Sequence, residues 1–194
     1  MSELKPTVEG GQPRRFWLVG LRLDPNFPHP DFYTVLRDEP EYWPIVYEGQ
    51  IIFFQKAEVA QDALDFYLGH LRLPPANVPT EPTLILDFAE GLYLLSKESR
   101  DEVSCVLNII NTLLDMLDAA CVRVPTKYRA ELHQIADHLT FSKELGSLFN
   151  DQKLERAEII EALQWGLGAV LTKSMFFPKP DIKPAAKNGE SGSE

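Results

Sequence analysis

The sequence predicts an α+β fold: a small antiparallel sheet of about three strands near the N-terminus, one helix on one of its faces, and a C-terminal bundle of four or five helices covering the rest. Three observations lead there. Residues that favour strands concentrate between positions 16 and 54, apolar spacing turns helical from residue 57, and the expected strands are apolar on both faces.

Residues 16–23 form the first expected strand, closed by Asp24-Pro25-Asn26. Trp17, Val19, Leu21 and Leu23 point one way, and Phe16, Leu18 and Gly20 the other. A hairpin follows, with Ile45-Val46-Tyr47 and Gln50-Ile51-Ile52-Phe53-Phe54 joined by Glu48-Gly49. A two-residue loop with Gly second matches the positive φ that tight hairpins require. Ile51 and Phe53 oppose Ile52 and Phe54, so this strand also needs cover on both sides.

The near cover is a helix over residues 57–70, in which Ala60, Ala63, Leu64, Tyr67 and Leu71 recur at helical spacing. Prolines at 74, 75, 79 and 82 then keep the chain out of a helix. Residues 83–96 read as a helix, although 83–88 also suit a strand. Ser99 and Glu102 make a capping-box pattern that opens a long helix to about residue 120. Thr126 caps the next helix, Ser142 starts a short one, and the last runs from about 154 to 175. These helices carry wide apolar stripes, and the uncovered side of the sheet is their natural partner. Residues 14–176 are therefore expected to form one composite domain, with a β-β-β-α part at 14–72 and a helical part at 83–176. Residues 1–13 read as a flexible arm, and residues 177–194, rich in Pro, Lys, Gly and Ser, as a disordered tail.

Composition narrows the function classes. The chain has 194 residues, 44% of them hydrophobic and 25% charged, which suits a globular domain that needs no metal or disulfide to fold. A formal net charge of −10 repels phosphate backbones, and the adjacent Arg14 and Arg15 precede a strand instead of lining a groove, so nucleic acid is not an expected partner. No apolar run reaches the roughly 18 residues of a membrane span, and the polar first dozen residues do not read as a signal peptide. Cys105 and Cys121 fall on one helical pattern, about 24 Å apart along its axis, too far to bond to each other. Buried free thiols in the cytoplasm are the expectation.

Three constellations could carry function. The first is the loop from Asp24 through Phe27, His29, Phe32 and Tyr33, continuing to Tyr42 and Trp43, where aromatics and prolines crowd a segment that should lie on the surface. Such residues anchor protein interfaces, or they fold back as a lid on the sheet. The second is the stripe Ser104, Asn108, Asn111, Asp115 and Asp118, which steps by three and four along one helix face. Asn and Asp cost roughly 0.5–0.7 kcal/mol each in a helix relative to Ala, so their amides and carboxylates are expected to make specific hydrogen bonds, within the fold or to a partner. The third is His133 with Asp137, four apart on one helix face, which could reach one cation or simply form a solvated face. His138 lies about 140° further round and does not join them.

Gly166 and Gly168 sit inside a helical pattern with no preceding strand, so close helix packing, in the core or across a dimer seam, is expected in place of phosphate binding. No serine elbow and no placed Cys–His pair is present in the sequence. The reading is a non-enzymatic interaction or regulatory protein of the cytoplasm without a cofactor. It would bind a protein partner, possibly basic, through the aromatic loop, the Asn/Asp face or both, and could dimerise through its C-terminal helix. The alternative is a small metal-binding protein or enzyme centred on His133 and Asp137.

Overall fold

A computed structural model of the protein describes residues 15–38, 42–97, 103–142, 145–151 and 155–178. Its architecture follows from the two-faced strands. Strand β1 (Phe16–Arg22) pairs antiparallel with β2 (Phe32–Asp38), Phe16 opposite Arg37 and Leu21 opposite Phe32. Strand β3 (Tyr42–Pro44) continues antiparallel on the far side of β2. The short β4 (Val46–Tyr47) and β5 (Gln50–Phe53) form the expected hairpin. Its corner residues Glu48 and Gly49 take φ of 50° and 76°, the left-handed pair that a tight hairpin needs.

After a 3₁₀ turn (Ala57–Val59) come helix α1 (Ala60–His70), strand β6 (Leu84–Asp87), and helices α2 (Phe88–Ser96), α3 (Val103–Ala119), α4 (Thr126–Ser142), α5 (Leu145–Asp151) and α6 (Arg156–Thr172). Strand β7 (Ser174–Phe176) follows. The fold is α+β, with five helices after β6 among the described residues. The strands form two mixed sheets instead of one antiparallel one, ordered β3-β2-β1-β6 and β4-β5-β7. Strands β6 and β7 both add in parallel, on β1 and β5 respectively, from far along the chain. An isolated bridge between Tyr33 and Phe54 joins the two sheets, and the buried Thr34 hydroxyl donates to the Ile52 carbonyl at 2.9 Å beside it.

Two hydrophobic cores lie on opposite faces of these sheets. Val19, Leu21, Ile51 and Phe53 enter the first core with residues from α2, α3, α4 and α6. Phe16, Leu18, Ile52 and Phe54 enter the second with α1 and Met175. Alternation along β1 and β5 therefore divides the side chains between two covers, as the sequence predicts. The junction from β6 to α2 is fixed by Asp87, whose carboxylate caps α2 by accepting from the Glu90 N–H at 3.0 Å and also pairs with Arg22.

Several sequence expectations are corrected here. Phe32 and Tyr33 begin strand β2, so the loop ends before them. Residues 84–87 are strand, resolving the two readings of that segment, because their backbone pairs in parallel with the edge of β1. The last helix stops at Thr172, and Met175 belongs to β7. Cys121 is exposed, at φ 52° just beyond α3, while Cys105 is half-buried with its thiol directed at the Asp87 carbonyl. The proposed arm, the Ser99–Glu102 capping box and residues 179–194 of the tail lie outside the described residues; Phe177 of that tail packs on the second core.

Candidate interaction surface

The loop between β1 and β2 is built by its carboxylates. Asp31 accepts from the backbone N–H of Leu23 at 2.7 Å and of Asp24 at 3.2 Å, and the Asp31 N–H donates to the Leu21 carbonyl at 2.8 Å. Asp24 accepts in turn from the Asn26 backbone and side chain. Gly20 leaves room for Pro30 to lie against β1; a Cβ there would meet the Pro30 ring at 2.5 Å. So tied, the loop holds Phe27 out at 58% exposure, with His29 exposed near it.

Phe32 and Tyr33 turn inward from the end of the same loop. The Phe32 ring meets Phe176 edge-on at 5.1 Å, and Tyr33 stacks on Phe54 at 6.1 Å. Burial pushes the Tyr33 phenol pKa up, and the nearby Glu58 adds to it. Tyr42 and Trp43 do not join this group. They lie in β3 beside Asp38 and Arg37, at the opposite end of β2, roughly 20 Å away along the strand. Trp43 is half-buried, and the Tyr42 side chain lies outside the described part.

Residues not anticipated from sequence complete the surface. Gln55 and Lys56 line two recesses. One recess, of about 360 Å³, is lined by Val59, Phe176, Phe177 and Pro178; the other, broader and of about 650 Å³, by His29, Pro30, Tyr33 and Glu58. Beyond Phe177 the aromatic surface continues. Phe66 on α1 lies 5.3 Å from Phe177 and 5.0 Å from Tyr47, which meets the His70 ring edge-on at 4.6 Å. An aromatic band thus runs from His29 past Lys56 to His70, with Phe66 and Phe176 each 37% exposed. The sequence signal was Phe176 followed by Phe177-Pro178, where 177–178 read as the start of a tail until β7 brings them beside β5.

The other constellations sit elsewhere. Ser104, Asn108 and Asn111 are exposed on α3, Asp115 is half-buried, and Asp118 pairs with Arg129 of α4 at 2.5 Å. The α3 helix belongs to the first core and α1 to the second, so the helix that carries this polar face and the helix that carries Phe66 lie on opposite sides of the sheets. His133 and Asp137 are both exposed on α4, and His138 meets the Ser147 hydroxyl at 2.9 Å. Among the described residues no group of three or more His, Cys, Asp or Glu side chains is arranged to hold a metal ion. No described helix is long and apolar enough to cross a membrane. Gly166 packs inward against Leu113 of α3, whereas Gly168 is exposed with open space beside it.

No protein-family model, curated protein or solved structure matches the chain.

Proposed function

We propose that the chain is a non-enzymatic interaction protein of the cytoplasm that binds a protein partner along the aromatic band. The observation that carries this reading is the continuity of the band: two recesses share Lys56, exposed Phe176 lines one of them, and Phe66 carries the band onto α1 through Phe177. Large aromatics left partly in water beside a concave surface favour burial against a partner, and they lose little side-chain freedom when they bind. The predicted loop supplies one end through Phe27 and His29, while Phe32 and Tyr33 hold the floor. The α3 face contributes Asn108 and Asn111 as a separate polar surface and is not needed for this mode.

A photoreactive phenylalanine analogue placed at His29, and separately at Asn111, tests the reading in cells. The expected result is a discrete adduct from the His29 position, weakened by either Phe177→Ala or Phe66→Ala and absent from the Asn111 position. Equal adducts from both positions, or none from His29, would refute it.

A further inference from the structure

We infer that the partner segment on the aromatic band is basic, with Lys or Arg side chains lying over Tyr47, Phe66 and Phe177 among the carboxylates of Glu48, Asp62 and Asp65. This deepens the interaction reading above and rests on it.

The charge pattern of α1 carries the inference. Between Ala57 and Leu71 the chain contains Glu58, Asp62 and Asp65 and no Lys or Arg; Lys56 and Arg72 stand only at the two ends. Asp62 and Asp65 are exposed, and Asp62, Phe66 and His70 follow one another at four-residue steps along the same helix face. Glu48, at the exposed hairpin corner, adds a carboxylate beside Tyr47, whose phenol pKa it raises through a hydrogen bond.

Among the described residues Glu48, Asp62 and Asp65 take part in no ion pair, and Asp65 accepts only from the Gln61 amide, at 2.9 Å. The aromatic rings lie at the C-terminal half of α1, where the helix dipole adds further negative potential. The rings contact one another at 4.6–5.3 Å, tilted or edge-on, so they form a continuous aromatic strip and not a closed cage around one ammonium. Such a strip suits successive cations along a peptide, each attracted both to an aromatic ring and to a neighbouring carboxylate.

A displayed library of random twelve-residue peptides, selected on the whole protein and counter-selected on Phe177→Ala, tests the inference. Selected peptides should be enriched in Lys and Arg, and their binding should weaken roughly tenfold in Asp62→Lys/Asp65→Lys and with added salt. These two positions are exposed on the helix, so the double variant should keep the parent's circular dichroism. Neutral or acidic peptides that need Phe177 but ignore the double substitution would overturn the inference and leave the interaction reading standing. A dimer in sedimentation that Phe177→Ala dissociates would make the occupant a second copy and also overturn it. Failure to select any Phe177-dependent peptide would count against both.

Discussion

Glu131 on α4 is only 7% exposed, and its Oε2 has no hydrogen-bond partner. Lys127 lies 3.8 Å from the other oxygen but is drawn to Glu158 of α6, at 2.8 Å, while Tyr128 donates to Glu161 at 2.8 Å. One lysine thus serves two carboxyl groups. Burial pushes the Glu131 pKa up from its ordinary 4.5; Lys127 opposes this, and Glu158 and Glu161 reinforce it. Glu158, bonded to Lys127, is held below 4.5. The two signs differ. Protonated Glu131 is favoured by the fold, so its contribution is present below its unfolded pKa and is lost as pH rises through the raised folded value. The Glu158 contribution is present above its unfolded pKa and is lost as pH falls through the lowered one. At neutral pH ionised Glu131 is therefore a liability, and Glu131→Gln is expected to stabilise by about 1 kcal/mol, or roughly 2–4 °C in melting temperature. The gain should shrink as pH falls from 7 towards 4.5, where wild-type Glu131 takes up its proton. Melting curves of both proteins across that range check it; a gain independent of pH would show that the residue is not titrating there.

At the level of elements, α6 turns a sequence pattern into two opposite expectations. A Cβ at Gly166 would meet Leu113 at 2.8 and 3.3 Å, a contact with the branch of a side chain fixed in the first core, whereas one at Gly168 meets nothing within 4 Å. Gly166→Ala should lose about 1–3 kcal/mol to overpacking. Gly168→Ala should gain up to about 1 kcal/mol through helix propensity. Urea midpoints that moved the same way in both variants would contradict this placement of the α6 face. The same pattern marks what could be read in advance. Two-faced apolar strands such as Phe16-Trp17-Leu18-Val19 identify their own need for two covers, because alternation is a local property of the chain. The parallel strands could not be read this way. Leu84-Ile85-Leu86-Asp87 and Ser174-Met175-Phe176 are three or four residues long, and their partners lie on strands from the N-terminal part. Their state is decided by distant pairing and not by propensity. The candidate surface divides likewise: Phe27 and His29 were legible in a Pro-rich loop, whereas Phe66, Tyr47 and Phe177 meet only through tertiary packing.

Across the whole molecule, the two parallel strands fasten the C-terminal helices to the N-terminal sheets. Strand β6 does so through β1 and the Arg22–Asp87 pair, and β7 through β5, with Ile51 donating to the Lys173 carbonyl at 2.9 Å and Phe177 to the Phe53 carbonyl at 2.7 Å. Strand β7 thus carries the chain from α6 of the first core to the second, where Met175 is buried to 8% exposure. Because the sheets are shared by both cores, loss of β7 should weaken the molecule as a unit and not fray one end. A chain ending at Pro178 keeps β7 and should match the full-length urea midpoint. A chain ending at Lys173 loses the burial of Met175, about 1.5–3 kcal/mol, together with the Phe177 packing. Its expected loss is therefore about 3 kcal/mol or more, still in a single transition. The check uses two signals with different origins: tryptophan fluorescence, from Trp17 and Trp43 on the sheet side and Trp165 on α6, and circular dichroism, dominated by the helices. Coincident curves shifted together would support one cooperative unit; helical signal persisting after the fluorescence change would show that the bundle stands without the sheets.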